Sequence, residues 1–194
     1  MLRDNALRAS ELFHPTIGGP PVRPYQPTGV WEENFMGRFT YEPSEGSAQY
    51  RRTLYAFWRR SIAPTFLFDS AQRRSCEVRT SRTNTPLQAL TLLNDENYLE
   101  ASRALAAMVL GKPQPIQEMS LRVLSRELRD AELTVLTRER DRALDHYRNH
   151  PEDAVTFLAR GQFEPDSSLP ASELAAHTIV ASLLFNLDEA MTHE

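Results

Sequence analysis

The chain has 194 residues and a formal net charge of −4 at pH 7, with 41% hydrophobic and 25% charged residues. These values are typical of one soluble globular domain, and the acidic balance argues against a general nucleic-acid binder, which needs a cationic surface. The single cysteine excludes an internal disulfide and any site built from several thiolates. No apolar run is long enough to span a membrane.

The chain opens on a predicted helix. Apolar side chains recur there at helical spacing, at Leu2, Ala6, Ala9 and Phe13. No capping residue precedes them, which suggests a helix that continues from earlier sequence. The charges in MLRDNALRASELF leave no apolar segment that would serve as a signal peptide.

Residues 14–47 combine prolines and glycines with aromatic side chains. Proline interrupts helices and central strands, but a disordered linker would be poor in aromatic residues. We therefore predict an ordered arm over residues 14–47 that packs on a helical body formed by residues 48–194. Tyr25, Gln26 and Trp31 are its candidate binding residues, with the aromatic rings offering a stacking surface.

Residues 48–63 are predicted to form an amphipathic helix that ends at Pro64. Its large apolar side chains fall on one arc and its arginines on the other. We interpret the arginines as a solvated face rather than a nucleic-acid surface, because the chain is acidic overall. The apolar set is Tyr50, Leu54, Phe57 and Trp58.

The next predicted helix begins with Thr85 as its N-cap and Pro86 in its first position. It runs to Gly111, a glycine suited to a helix C-terminus, and Asn94 and Asp95 are a candidate break within it.

Four more helices are predicted further along the chain, over residues 115–128, 130–149, 151–160 and 171–188. Asp130 is the predicted cap of the second. The last is apolar around most of its circumference and should be deeply buried. No strand pattern is visible, so the predicted fold class is all-α: one domain, residues 1–194, with an irregular bundle of about six helices and the arm.

The densest polar set of the sequence lies between Phe68 and Asp95. It consists of Asp69, Arg73, Cys76, Arg79, Arg82, Asn84, Thr85, Gln88, Asn94 and Asp95. The helix N-terminus at Thr85 offers free N–H donors to an anion. Alternatively, the two aspartates pair with the arginines and simply fix the loop to the helix. Cys76 has cationic neighbours that favour a thiolate, although a lone cysteine is more often a packing residue.

His146 and His150 lie one helical turn apart, a spacing that can place two imidazoles on one metal ion. Glu152 or Asp153 is the nearest third ligand. Two histidines at this spacing are an unspecific signal, so the sequence predicts no metal and no cofactor in this chain.

Four phrases carry a family resemblance: IGGPPVRPYQPTGVW, YRRTLYAFWRRS, FDSAQRRSCEVRTSRTNTPLQALTLLND and IVASLLFNLDEAMT. In this order they are similar to the C-terminal part of Domain of Unknown Function 1553, a family typical of planctomycetes. The resemblance implies a periplasmic or secreted protein in which residues 1–194 are the C-terminal portion of a larger domain. It also implies upstream domains as partners, often a planctomycete cytochrome c domain that would carry haem. It supplies no catalytic residue.

Three functions stay open at this point. The first is a non-catalytic module that binds a partner domain or an anionic polysaccharide through the aromatic arm. The second is an enzyme or redox-linked protein acting on carbohydrate, with Asp69 or Asp95 as acid or base and Arg73, Arg79 or Arg82 holding an anion. The third is a truncated fragment without an independent function.

Overall fold

The computed structural model describes residues 2–59, 62, 64–65 and 85–191. These residues form helices and no strand, which confirms the all-α prediction. The helices are α1 (Leu2–Ala9), α2 (Val30–Asn34), α3 (Pro86–Asn94), α4 (Glu96–Val109), α5 (Pro115–Leu124), α6 (Asp130–Asn149), α7 (Pro151–Leu158), α8 (Ala171–Phe185) and α9 (Asp188–Met191). No described helix has the length and apolar character needed to cross a lipid bilayer.

Helix α8 lies at the centre of the body and packs against α4, α5, α6 and α7. The prediction of a deeply buried last helix is confirmed, although it ends at Phe185 and residues 188–191 form a separate turn. Small side chains on α4 and α8 let the two helices approach closely. Those fully buried are Ala101, Ala106, Ala175, Ala176 and Ala181.

The starts and ends of α3 and α4 follow local cap chemistry, as predicted. The Thr85 hydroxyl accepts from the backbone N–H of Gln88, while the Gln88 side chain accepts from the backbone N–H of Thr85. Asp95 separates the two helices and caps the second, because its Oδ1 accepts from the backbone N–H of Asn97 at 2.9 Å. Leu110 is the C-cap residue of α4, and Gly111 follows it. Gly111 has a φ of +94°, a conformation suited to glycine.

The prediction of a helix over residues 48–63 is wrong. The described residues there form only short 3₁₀ turns at Gly46–Ala48 and Thr53–Tyr55, beside isolated bridges to the arm. The backbone pairs with Val22 instead of with itself: Val22 N–H donates to Tyr55 O at 2.9 Å, and Phe57 N–H donates to Val22 O at 2.7 Å. The proline-rich arm cannot complete its own ladder, so this segment supplies the missing partners.

Two predicted boundaries also move. Helix α5 ends at Leu124 rather than at residue 128, because Ser125 adopts a left-handed φ of 58°. Arg129, not Asp130, is the cap residue of α6, and its backbone N–H donates to Glu132 Oε2 at 2.8 Å. Asp130 is therefore the first helical residue, where its negative charge still favours the helix dipole.

The arm is built around Trp31, whose side chain is fully buried. Its ring centroid lies 5.1–5.8 Å from neighbouring aromatic rings, an arrangement that buries large apolar area. The neighbours are Phe35, Phe39, Tyr41 and Phe57. Phe57 comes from the segment after the arm, so this aromatic cluster joins the arm to the rest of the domain.

Candidate functional site: a cleft between the arm and helix α4

The arm and the start of α4 enclose a cleft of about 370 Å³. Its walls are residues 25–28 of the arm, residues 94–96 at the α3–α4 junction, and Arg160 after α7. A second hollow of about 260 Å³ shares residues 25–28 and Glu96 and is also lined by Glu32 and Gln162. We call the two hollows together the arm cleft. Its volume is in the range of small-molecule sites.

The arm cleft brings together residues that the sequence placed in two separate candidate sets. Tyr25 and Gln26 come from the predicted aromatic arm, and Asn94 and Asp95 come from the predicted polar cluster. They are about seventy positions apart in the chain, so only the tertiary fold makes them neighbours.

The other candidates lie elsewhere. Thr85 and Gln88 form the cap at the far end of α3. Trp31 is fully buried and Tyr25 nearly so, hence neither ring offers a free face for stacking on a ligand, and the predicted stacking surface does not fit this geometry. Asp69, Arg73, Cys76, Arg79, Arg82 and Asn84 lie outside the described residues.

The buried carboxylate of Glu100 in α4 lies behind the wall of the arm cleft; it is 2% exposed and does not line the cleft itself. Its Oε1 accepts hydrogen bonds from three parts of the chain. The donors are Tyr25 Oη at 3.2 Å, Tyr50 Oη at 3.1 Å, Gln162 N at 2.5 Å and Phe163 N at 2.7 Å. Such hydrogen bonds replace the water that the carboxylate loses on burial. One oxygen therefore joins α4, the arm and the loop after α7.

Both tyrosines stay protonated donors over the physiological range. Burial raises the pKa of the Tyr25 hydroxyl well above its usual value, and the Glu100 carboxylate raises it further. Burial and the same carboxylate likewise raise the pKa of Tyr50. The Tyr25 oxygen in turn accepts from the backbone N–H of Gln162 at 2.8 Å.

The loop after α7 closes on this carboxylate through Gly161. Its φ is +78°, and a Cβ atom at this position would lie 2.7 Å from Glu100 Oε1. The glycine is therefore required both for the backbone conformation and for the close approach. Its N–H donates to Glu96 Oε1 at 3.1 Å, so one loop holds both carboxylates of α4.

Arg103 holds the same loop from the other side. Its buried guanidinium donates to the backbone carbonyls of Leu158 and Phe163. Burial lowers the pKa of Arg103, whereas the nearby Glu100 carboxylate raises it. These two hydrogen bonds assign Arg103 to the support of the loop.

A second buried network lies behind Asp95 and has a structural role. Asp95 Oδ1 accepts from Asn97 Nδ2 at 2.8 Å, and Asn97 Oδ1 accepts from Arg3 Nε at 3.0 Å. Arg3 is 2% exposed and also donates to the backbone carbonyls of Gln49 and Arg51. Asp95 Oδ2 accepts from the Thr65 hydroxyl. Among the described residues, the side chain of Asp95 is thus engaged by Asn97 and Thr65.

Glu96 is a carboxylate of the cleft whose surroundings shift its pKa. Burial raises its pKa, the Gly161 N–H opposes this, and the nearby Glu100 and Asp95 raise it further. Arg160 also lines the cleft and favours the charged form of Glu96. The arrangement can accept hydrogen bonds from a ligand.

Sequence reasoning missed Glu96, Glu100 and Arg160. A signal existed for the two glutamates, which lie one helical turn apart in a helix that is otherwise mostly apolar or small. Buried charges in such a helix need partners, and a carboxylate there indicates a hydrogen-bonded network. The loop that supplies the partners, residues 161–163, is more than sixty positions away and carries no local signal.

Comparison with protein families matches residues 1–139 to PSD1, described as a protein of unknown function (DUF1553). The match covers more than half of the chain, so the chain belongs to the DUF1553 family, and the resemblance predicted from its motifs is confirmed. No curated protein and no solved structure matches the chain.

Proposed function

We propose that this member of the DUF1553 family is a ligand-binding module and that the arm cleft is its binding site. The observation that carries the proposal is the fixed wall of the cleft, since the buried Glu100 behind it ties the lining residue Tyr25 to α4 and to the loop at residues 161–163. Walls held in this way lose little conformational freedom when a ligand binds, which favours affinity.

The side chains around the cleft favour a neutral ligand rich in hydroxyl groups, such as an oligosaccharide. The described lining includes carboxylates and amides, which can accept or donate hydrogen bonds in a plane. Three carboxylates, at Glu32, Asp95 and Glu96, face one guanidinium, at Arg160. This balance disfavours the anionic polysaccharide that the sequence suggested. The arginines assigned to an anion, at positions 73, 79 and 82, lie outside the described residues.

An enzyme acting on carbohydrate is the second candidate, supported by the raised pKa of Glu96. A carboxyl group whose surroundings raise its pKa is suited to the role of general acid. Glu96 then takes the acid role that the sequence analysis gave to Asp69 or Asp95.

Calorimetric titration with neutral, sulfated and uronic oligosaccharides tests the proposal. We expect binding of a neutral oligosaccharide, weakened about tenfold or more by Arg160→Ala, since a lost hydrogen bond to a charged group costs about 1.5–3 kcal/mol and 1.4 kcal/mol is a factor of ten. Asn94→Ala should weaken it less, since a neutral hydrogen bond contributes about 0.5–1.5 kcal/mol. Both side chains line the cleft, and Asn94 is exposed. The matched control is Arg138→Ala on α6, an exposed arginine outside the cleft lining.

The outcomes separate the candidates. Equal affinity in the wild type and both cleft variants would contradict the assignment of the site, and tight binding of sulfated chains alone would contradict the ligand class. New reducing ends in the same mixtures, lost in Glu96→Gln, would favour the enzyme over the binding module.

We also propose that the protein is exported to the periplasm or the exterior. Upstream domains, including one that carries haem, would precede this module. The support for them is the family resemblance in the motifs of residues 17–95 and 179–192. In such a protein the module would hold a polysaccharide close to its neighbouring domains, and the effective concentration would rise through the covalent link.

A further inference from the structure

We propose that His146, His150 and Asp153 form a binding site for one divalent transition-metal ion, with Zn²⁺ as the best fit. The site joins the last turn of α6 to the first turn of α7. It is independent of the arm cleft and of the function proposed for that cleft.

The three side chains already converge. One ligand atom from each lies within 4.8 Å of the others, and His146 Nε2 lies 3.2 Å from Asp153 Oδ2. Zn²⁺ bonds nitrogen and oxygen at about 2.0–2.2 Å, so two ligands of a tetrahedral ion lie about 3.3 Å apart. The remaining movement is about 1.5 Å, which rotation of an exposed side chain about its χ angles provides.

The hydrogen bond of His150 prepares one nitrogen for a metal. His150 Nδ1 lies 3.1 Å from the backbone carbonyl oxygen of His146. A carbonyl oxygen can only accept, so in the neutral ring Nδ1 carries the proton and Nε2 keeps its lone pair. This is the orientation that a backbone carbonyl commonly gives to a metal-binding histidine.

The turn between the helices explains why Asp153 reaches His146. Helix α6 ends at Asn149 and Pro151 begins α7, which leaves one residue between them. Proline fixes the first turn of α7, and Asp153 in that turn comes back against α6. The ring of His146 also stacks on the ring of His150, with centroids 4.8 Å apart.

The charges around the site predict that a cation binds there with modest affinity. The terminal carbonyls of α6 attract a positive charge, while the N-terminus of α7 and the nearby Arg142 and Arg148 oppose it. All three ligands are exposed, so an ion can reach them directly from solvent. Imidazole nitrogens select Zn²⁺, Cu²⁺ or Ni²⁺ over Mg²⁺ or Ca²⁺, which prefer oxygen ligands.

Three protein ligands leave a fourth position for water or for a group from a partner. The ion would take the place of the direct contact between His146 Nε2 and Asp153 Oδ2 and would hold α7 against α6.

Calorimetric titration of the untagged, chelator-dialysed chain with Zn²⁺ tests the proposal, with Co²⁺ absorption bands as a report on the ligands. We expect one ion per chain. His150→Ala and Asp153→Asn should each weaken binding at least about tenfold, because even groups that only orient a ligand contribute 10–100-fold. Glu152→Gln, in the same turn of α7, and His14→Ala are the controls and should leave the affinity unchanged.

Absence of Zn²⁺ binding in the wild type would overturn the proposal. Equal binding in His150→Ala and Asp153→Asn would do the same, because the ion would then occupy another place. The substituted side chains are exposed, so the variants should keep their helical circular dichroism, and Asp153→Asn preserves the shape of the side chain in any case.

Discussion

Replacement of Glu100 by alanine is expected to lower the free energy of unfolding by about 3–5 kcal/mol, since it removes one partner from a buried charged network. The substitution leaves two tyrosine hydroxyls and the N–H group of Phe163 without their acceptor, whereas Gln162 N–H keeps the Tyr25 oxygen as a partner. Each buried donor without a partner costs about 1–3 kcal/mol. Urea unfolding followed by circular dichroism at 222 nm measures the loss.

Glu100→Gln is the matched control for charge, because it keeps an oxygen acceptor and the shape of the side chain. We expect it to be less harmful than Glu100→Ala. A loss below about 1 kcal/mol for alanine, typical of an exposed position, would contradict the role assigned to Glu100.

The Gly161→Ala variant tests the packing of the loop against the Glu100 carboxylate. The new methyl group would meet Glu100 Oε1 at 2.7 Å. Gly18→Ala is its control, since Gly18 has the same φ of +78° but no atom within 4 Å of the added Cβ. Both variants carry the backbone strain, so a larger loss in Gly161→Ala isolates the contact with Glu100. Equal losses would mean that the loop can move away from the carboxylate at no cost.

Replacement of Trp31 by alanine is expected to destabilise the domain by about 3–5 kcal/mol, the range for removing a large aromatic side chain from a core. Its ring is fully buried and stacks on rings from the arm and on Phe57. The indole N–H also donates to Gln26 Oε1 at 2.6 Å, and Gln26 lines the arm cleft. The variant should therefore lose both stability and ligand binding, as measured by urea unfolding and by the titration above.

Leu54→Ala is the control for the Trp31 variant. Leu54 lies in the segment that pairs with the arm, but its side chain is 66% exposed. We expect a change within about 0.5 kcal/mol, as for most surface substitutions. If Trp31→Ala were as mild as Leu54→Ala, the aromatic cluster would not contribute to the stability of the domain.

Helix boundaries could be predicted wherever the chemistry is local. Thr85, Pro86 and Gln88 define a helix start within four residues, and Asp95 defines the next one. The segment 48–63 failed because its apolar spacing also suits a helix, while its actual hydrogen bonds go to Val22 in the arm. A single sequence does not show that the arm needs those partners.

The site could be predicted only in part for the same reason. Polar density indicated Asn94 and Asp95, and aromatic content indicated Tyr25, but nothing local joined the two sets. Trp31 was expected at the surface of the arm, because the sequence does not reveal that its neighbours enclose it. Glu100 and the loop at residues 161–163 create the cleft through contacts across sixty or more positions.

The central claim is that the arm and the helical body form one cooperative unit that holds the cleft. A thermal melt of Trp58→Phe tests it, because Trp31 is then the only tryptophan of the chain. Fluorescence reports on the arm, and circular dichroism at 222 nm reports on the helices. The account predicts a single sharp transition with the same midpoint for both signals. A fluorescence change well below the helical transition, or a broad loss of helix without a cooperative step, would contradict it.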